Sequence, residues 1–303
     1  MKNFSQYKLI LFTAIFLTAF YNSSFFKNVI DTYPFEGINI VYIISLAIVL
    51  VSLITFLFTL FSSKYTTKPI LILVTITSAF TAYFMDTYHV VIDDEMIRNS
   101  LQTNLAESSD LFSLQLIAYV LLLGLIPSYF IYKTKIEYKT FGKEFILKIK
   151  NIIISLAIIL IIIFSFSKFY TSFFREHKPL RYHVNPIYWI YSIGNYINKT
   201  INSGPITLKE IGVDAKIKRT NDEVDKKELI IMVVGEATRA DRFSLNGYKK
   251  ETNPLLKKED IVNFSNMYSC GTSTAHSIPC MFSIYNRDAY SSKQGVSTHN
   301  VVD

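Results

Sequence analysis

Apolar and polar residues divide this chain into two parts, with long apolar runs before residue 170 and a mixed polar sequence after it. A helix needs about 20 residues to cross the ~30 Å hydrocarbon core of a bilayer. Five runs approach or exceed that length, and they cover residues 9–26, 40–61, 69–85, 112–132 and 151–168. The first and third are shorter and contain Thr and Ser. The pattern therefore predicts an α-helical membrane domain of five transmembrane helices over residues 1–170.

The first run could instead be a cleaved signal peptide, which would leave the mature protein without it. It lacks a convincing cleavage site of small residues, and four further runs follow it. We therefore interpret it as a retained helix.

The charges of the loops indicate how these helices are oriented. Lysines dominate the amino end, the loop 62–68 and the loop 133–150, whereas the loop 86–111 carries six acidic residues against Arg98 alone. Basic loops stay in the cytoplasm. The amino terminus is therefore predicted to be cytoplasmic, and everything after residue 170 is predicted to lie on the opposite side of the membrane.

The composition agrees with a membrane protein, because 50% of the 303 residues are hydrophobic and only 18% are charged. About a quarter of the residues of an average soluble domain are charged. The net charge of +7 does not indicate nucleic-acid binding, since many of the lysines lie in short loops between apolar runs.

Residues 171–227 connect the last run to the polar part. Their first half is rich in Phe, Tyr and Trp, which favour the headgroup region of a bilayer. We interpret it as one or two interfacial helices on the outer leaflet, although an amphipathic helix packed on the soluble domain would have the same composition. Residues 202–227 are polar and are interpreted as a linker.

The polar part, residues 228–303, begins with the apolar run 229–234, which is followed by Gly235 and Glu236. An unbroken run of Val and Ile that ends at Gly predicts a buried strand of a parallel sheet. Glu236 would then lie at the carboxyl end of the strand, where open α/β sheets bind their ligands. There it could bind a metal, act as a base or cap the next helix.

A second cluster of polar residues covers 269–283 and places several Ser and Thr residues between Cys270 and Cys280. A hydroxyl at the start of a helix lies beside backbone N–H groups that suit a phosphate. The same pattern also fits an ordinary helix cap. The two cysteines alone make a weak zinc site, and an oxidising compartment would favour a disulfide.

Segments 235–248 and 269–283 together resemble the two leading motifs of the lipid A phosphoethanolamine transferases, a group that includes the mobile colistin-resistance enzymes. The resemblance extends over essentially the whole chain. It implies five transmembrane helices and the beginning of a periplasmic α/β domain of the sulfatase or alkaline phosphatase type. It also implies transfer of phosphoethanolamine from phosphatidylethanolamine to a lipid A phosphate, which would weaken the binding of cationic peptides such as polymyxins.

The resemblance assigns roles to individual residues. It implies that Thr274 is the nucleophile, that Zn²⁺ is the cofactor with Glu236 and Thr274 among its ligands, and that Cys270 and Cys280 form a disulfide. His276 departs from the family pattern and is interpreted as a surface residue that could tune substrate contacts.

A third motif, residues 96–107, lies in the acidic loop. Asn99, Thr103 and Glu107 are spaced by four residues, so they would share one face of a helix. The resemblance implies that they approach the phosphoethanolamine headgroup, with Glu107 pairing with its ammonium group. A solvated helix face is the alternative.

The remaining zinc ligands of the family lie downstream of the nucleophile and have no counterpart here. We therefore expect a truncated catalytic domain, poorly folded beyond about residue 228, and a 303-residue chain that is inactive alone. The alternatives are a sulfatase-like transferase that uses glycerolphosphate or an acceptor other than lipid A, and a non-catalytic membrane remnant.

Overall fold

The structure of the protein is a computed structural model, which describes residues 4–103, 109, 111–202, 204, 207–216, 229–235 and 238–301. The chain forms two compact units, Met1–Asn202 and Ser203–Asp303. Residues 171–201, which follow the last predicted span, thus belong to the first unit.

The first unit is built from nine described helices. They are α1 (Gln6–Phe20), α2 (Ser23–Thr32), α3 (Ile38–Phe61), α4 (Thr67–Tyr88), α5 (Asp94–Gln102), α6 (Leu114–Lys133), α7 (Phe141–Ser165), α8 (Ser167–Glu176) and α9 (Ile187–Ile201). The strands β1 (Phe4–Ser5) and β2 (Ile136–Glu137) pair in parallel and join the amino end to the loop before α7. A 3₁₀ turn, Lys178–His183, joins α8 to α9.

Four helices, α3, α4, α6 and α7, are long and apolar enough to cross a membrane. The fifth predicted span corresponds to α1 and α2, which meet the same test only as a pair and are bent by 57° at the break between them. The described residues thus contain four or five spans, as the apolar runs predict. The bend was not predicted.

Two clusters of apolar side chains form the core of the first unit. One joins α1, α3, α4 and α6 around residues such as Leu17, Ile54 and Leu71, and Trp189 of α9 packs into it. The other joins α2 and α3 to α8 around Phe25, Leu46 and Phe169. The aromatic segment after the last span therefore forms helices, as predicted, and those helices pack on the membrane unit. Their position on the outer leaflet stays a prediction.

The second unit has little regular structure among its described residues. It contains three short 3₁₀ turns, at Ala240–Arg242, Ser244–Asn246 and Leu256–Lys258, and two helices, α10 (Thr274–Met281) and α11 (Ser292–Ser297). An isolated bridge pairs Lys209 with Thr298.

The prediction of a buried strand at 229–234 is wrong for this structure. These residues have no regular secondary structure, and the side chains of Leu229 and Val233 are 83% and 87% exposed. A central strand is stable because neighbouring strands pair with its backbone and other layers cover its faces. In the described part of this unit, neither a pairing strand nor a covering layer is present at 229–234.

Candidate active site

Helix α5 carries two of the three residues that were predicted to contact the headgroup. Its first residue follows Asp93, whose carboxylate accepts a hydrogen bond from the backbone N–H of Met96 at 2.8 Å and so caps the helix. Asn99 lies within the helix, and Thr103 is the residue at which it ends. The hydroxyl and the backbone N–H of Thr103 both donate to the carbonyl oxygen of Asn99, at 2.7 and 2.9 Å. The structure therefore brings Asn99 and Thr103 together.

Helix α5 does not include the whole motif 96–107. The backbone of Thr103 is extended, with φ −64° and ψ 132°, so α5 ends at Gln102 and Thr103 caps it. Glu107 lies outside the described residues.

Two polar side chains of α9 hold the first turn of α5. The carboxylate of Asp94 accepts a hydrogen bond from Nδ2 of Asn195 at 2.9 Å and an ion-paired bond from Nζ of Lys199 at 2.5 Å. Burial alone would raise the pKa of Asp94, but the bonds from Lys199 and Asn195 outweigh it and hold the pKa below its usual value. The same bond to Asp94 raises the pKa of Lys199.

This tether between α5 and α9 was not predicted, although part of its signal is in the sequence. Asn195 and Lys199 are four residues apart and so share a face of α9. Asp94 is one acid among several in its loop, however, and nothing in the sequence indicates that α9 folds back onto α5.

In the second unit, Thr274 is the first residue of α10 and its side chain is exposed. The helix lies between the two half-cystines, because Cys270 precedes it and Cys280 is its next-to-last residue. These cysteines form a disulfide with their Cα atoms 6.3 Å apart, which confirms the predicted pairing. The bridge ties the turn before Thr274 to the end of the helix that Thr274 begins.

Gly271 and His276 are in close contact beside Thr274. A Cβ atom added to Gly271 would lie 2.6 Å from Cδ2 of His276, so only glycine fits there without a shift of the ring. The ring of His276 makes a hydrogen bond with the hydroxyl of Ser292 at 3.1 Å and an edge contact with Tyr290. His276 is therefore a packing residue of the turn between α10 and α11.

The motif 235–248 forms a hydrogen-bonded loop over its described part. Arg239 pairs with Asp241 at 2.9 Å, and Asn253 accepts from the backbone N–H of Ser244 at 2.9 Å. Glu236, the predicted metal ligand, lies outside the described residues.

The donor set within the described residues does not complete a zinc site. Structural and catalytic zinc ions take at least three protein ligands, mostly Cys, His, Asp and Glu. The described residues contain no group of three or more such side chains placed to hold a metal ion. Glu236 and Thr274 together would supply only one carboxylate and one hydroxyl, which is fewer than the three protein ligands that a zinc ion needs.

Comparison with known protein families gives two matches along the chain. Residues 50–201 match the family described as phosphoethanolamine transferase EptA/EptB, and residues 228–302 match the sulfatase family. The second match covers the unit whose predicted strand is not formed.

Known relatives align with nearly the whole chain. Phosphatidylethanolamine transferase Mcr-1 from Escherichia coli is 42% identical over 100% of this chain and 56% of its own length. Phosphoethanolamine transferase EptA from Escherichia coli (strain K12) is 34% identical over 97% of this chain and 54% of its own length. This chain therefore spans about half the length of the curated relatives it matches.

A solved structure agrees with these relatives. It is the integral membrane protein lipooligosaccharide phosphoethanolamine transferase A from Neisseria meningitidis, which is 29% identical to this chain with a TM-score of 0.88. The alignment covers 100% of this chain and 56% of that protein.

Proposed function

The chain belongs to the phosphoethanolamine transferase family, and we propose that the protein containing it moves phosphoethanolamine from phosphatidylethanolamine to a lipid A phosphate through Thr274. The family is one of membrane-bound enzymes with a sulfatase-like domain. The identity of the donor, the identity of the acceptor and the covalent intermediate on Thr274 are proposals that go beyond membership of the family.

The observation that carries the proposal is the position of Thr274. Its exposed hydroxyl stands at the first residue of α10, at the helix end that carries a positive partial charge. Backbone N–H groups at such an end suit the phosphate of an incoming lipid. The disulfide between Cys270 and Cys280 supports the same role, because it restrains the turn that holds the hydroxyl.

The proposed reaction has two displacement steps. In the first, the Oγ atom of Thr274 forms a bond to the phosphorus of phosphatidylethanolamine, and the ester bond to diacylglycerol breaks. The proton of the hydroxyl passes to the diacylglycerol oxygen, so diacylglycerol leaves as a neutral alcohol. In the second step, the protonated oxygen of a lipid A phosphate monoanion attacks the same phosphorus, the bond between phosphorus and Oγ1 of Thr274 breaks, and the proton of the attacking oxygen passes to Oγ1.

Asn99 and Thr103 are proposed to bind the headgroup, together with Glu107. The side-chain amide of Asn99 offers donors for a phosphate oxygen. The hydroxyl of Thr103 already donates to the carbonyl of Asn99, which leaves its oxygen lone pairs to accept a hydrogen bond from the ammonium group. A carboxylate at 107 would pair with that ammonium.

The cofactor we propose is zinc, and this chain would supply Glu236 and Thr274 to it. When bound, such an ion neutralises phosphate charge. Because these two ligands are too few, we propose that the 303 residues alone do not catalyse transfer. Detection of modified lipid A with the purified 303-residue chain as the only added protein would contradict this.

The orientation follows from the loop charges, with a cytoplasmic amino terminus and a periplasmic second unit. Thr274 would then act on the periplasmic side of the membrane. The added ammonium offsets the negative charge of lipid A, so cells with the active protein should resist polymyxins.

The test uses the longest natural polypeptide that the gene encodes, produced in a bacterium without its own transferase. Lipid A is analysed by mass spectrometry for Thr274→Ala and for the matched variant Thr272→Ala, which removes another exposed Thr hydroxyl nearby. We expect Thr274→Ala to abolish the modification and Thr272→Ala to retain it. A phosphoethanolamine adduct on the peptide containing residue 274 would establish the intermediate directly, and full activity of Thr274→Ala would refute the proposal.

A further inference from the structure

The first unit contains a cavity of about 550 Å³ that has no part in the proposed reaction. It lies where the amino end, the loop between α3 and α4, and the start of α7 meet. Two hydrogen bonds fix this loop in place. The hydroxyl of Tyr138 donates to the carbonyl of Lys64 at 3.2 Å, and Nζ of Lys148 donates to the carbonyl of Ser62 at 3.0 Å. Three segments of the chain therefore form the wall of the cavity, and hydrogen bonds join the loop between α3 and α4 to the segment that contains Tyr138 and Lys148.

Three lysines and two glutamates line the cavity: Lys64, Lys139, Lys148, Glu137 and Glu144. Glu144 is already engaged, because its carboxylate accepts a hydrogen bond from the backbone N–H of Lys139 at 2.7 Å. In the described part of the chain, no ion pair involves the ammonium group of Lys64 or of Lys139. Two exposed cations are thus left at the mouth of the cavity, with one more lysine in its wall.

Apolar side chains of α7 continue from the cavity onto the outside of the unit. Phe141, Phe145 and Leu147 line it, and Phe141 and Phe145 are 87% and 55% exposed. Phe141 and Phe145 lie in the first two turns of α7, within the lysine-rich stretch 133–150 that precedes the apolar run, so this surface adjoins the headgroup region of a bilayer, which aromatic side chains favour. A ligand with both a charged head and an apolar tail fits a site of this composition, whereas a free anion would leave the apolar wall uncovered.

The cavity is remote from the residues proposed to bind the substrate headgroup. Lys64 precedes the start of α4, and α5 with Asn99 follows its end. Helix α4 has 22 residues, which at 1.5 Å per residue is about 33 Å. The two places are therefore at opposite ends of the membrane unit, and one lipid headgroup cannot occupy both.

We propose that this cavity binds the headgroup of an anionic phospholipid, with its phosphate between Lys64 and Lys139 and its acyl chains along Phe141 and Phe145. Lysines at the end of a membrane helix attract anionic lipids, and basic pockets between transmembrane helices hold their headgroups. If the loop charges orient the protein as proposed, this lipid comes from the cytoplasmic leaflet. The bound lipid would then stabilise the membrane unit without being a substrate of the reaction.

The test is native mass spectrometry of the purified 303-residue chain, titrated with phosphatidylglycerol after removal of bound lipid. The variant Lys64→Gln/Lys139→Gln removes the two cations of the cavity. The matched control Lys143→Gln/Lys150→Gln removes two exposed lysines of the same end of the unit that do not line the cavity. Circular dichroism checks that both variants keep their helices.

We expect the cavity variant to bind phosphatidylglycerol at least roughly tenfold more weakly, since one lysine near a membrane surface contributes about a factor of five. The control variant should stay within about twofold of the unmodified chain. Equal losses in the two variants would show a diffuse basic surface and overturn the site. An equal loss of phosphatidylethanolamine binding in the cavity variant would overturn the anionic class, and displacement of the phosphatidylglycerol by millimolar inorganic phosphate would overturn the lipid as occupant.

Discussion

Asn22 and Asn185 exchange two hydrogen bonds although 163 positions separate them in the chain. Nδ2 of Asn22 donates to the carbonyl of Asn185 at 2.8 Å, and the backbone N–H of Asn185 donates to Oδ1 of Asn22 at 2.9 Å. Both side chains are only 1% exposed. The pair joins the bend between α1 and α2 to the segment that enters α9, so it fixes the helices after the last span on the membrane unit.

The backbone of Asn185 makes both of these bonds, and its side chain extends the connection to α4. Its Nδ2 donates to the carbonyl of Ser78 at 3.1 Å and to the hydroxyl of Thr81 at 2.9 Å. Its Oδ1 accepts from the indole of Trp189 at 3.2 Å. A buried amide with every polar atom bonded is costly to remove, since its partners are left without bonds.

We predict that Asn185→Ala lowers the stability of the membrane unit by about 2–4 kcal/mol, because several buried groups lose partners at once. The measurement is thermal unfolding in detergent, followed by the helical circular dichroism signal. The control is Asn198→Ala, which truncates an exposed Asn on α9. An equal midpoint for the two variants would contradict the proposed importance of the bonds that the Asn185 side chain makes to Ser78, Thr81 and Trp189.

Asp94→Asn is predicted to loosen α5. The variant keeps the size of the side chain but loses its charge, so the ion pair with Lys199 is lost at a cost of roughly 0.5–1 kcal/mol. Hydrogen exchange of the α5 amides should accelerate by a few-fold. Glu95→Gln removes a charge from the next residue, whose side chain has no ion pair in the described structure, and it should leave the exchange unchanged.

The attachment of α5 should also depend on pH at both extremes. The folded state lowers the pKa of Asp94 below its usual 3.8, so this contribution is present above that pH and is lost as pH falls through the lowered value. The folded state raises the pKa of Lys199 above 10.5, so its contribution is complete below that pH and is lost as pH rises through the raised value.

Hydrogen exchange of α5, corrected for the intrinsic pH dependence, should therefore show constant protection between these limits. Protection should fall below about pH 3.8 and above about pH 10.5. In the variant Asp94→Asn, both the acidic and the alkaline loss of protection should disappear. A transition near neutral pH in the unmodified chain would mean that another group controls α5.

Gly271→Ala is predicted to disturb the turn before Thr274, because the added methyl group would overlap the ring of His276. Overpacking of this kind costs about 1–3 kcal/mol. We expect faster hydrogen exchange in α10. The double variant Gly271→Ala/His276→Ala removes the overlap and should restore much of the protection relative to His276→Ala alone. If the double variant does not regain this protection, position 271 requires glycine for a reason other than contact with the His276 ring.

The sequence predicts the features that depend on local pattern. The apolar run 40–61 became α3 with almost the same bounds, and the loss of apolar periodicity after residue 170 coincides with the end of the spans. The pairing of Cys270 with Cys280 came from resemblance, and the structure forms it. Such features can be predicted because they depend only on residues that are close in the sequence or on a long, specific motif.

Features that depend on distant partners were not predicted. The bend at Asn22 exists because its side chain finds Asn185, and the tether of α5 exists because α9 returns to Asp94. The end of α5 at Gln102 was not predicted either. Periodicity alone indicates none of these contacts.

The exposed run 229–234 has a consequence for the chain in solution. Six consecutive apolar residues rich in Val and Ile, with no charge and no proline, have the composition of segments that stack into cross-β fibrils. Their backbone N–H and carbonyl groups have no strand beside them in the described part of the unit. A second molecule can supply that strand, so self-association should rise steeply with concentration. The residues that would stabilise a sheet within one molecule then become the nucleus for aggregation between molecules.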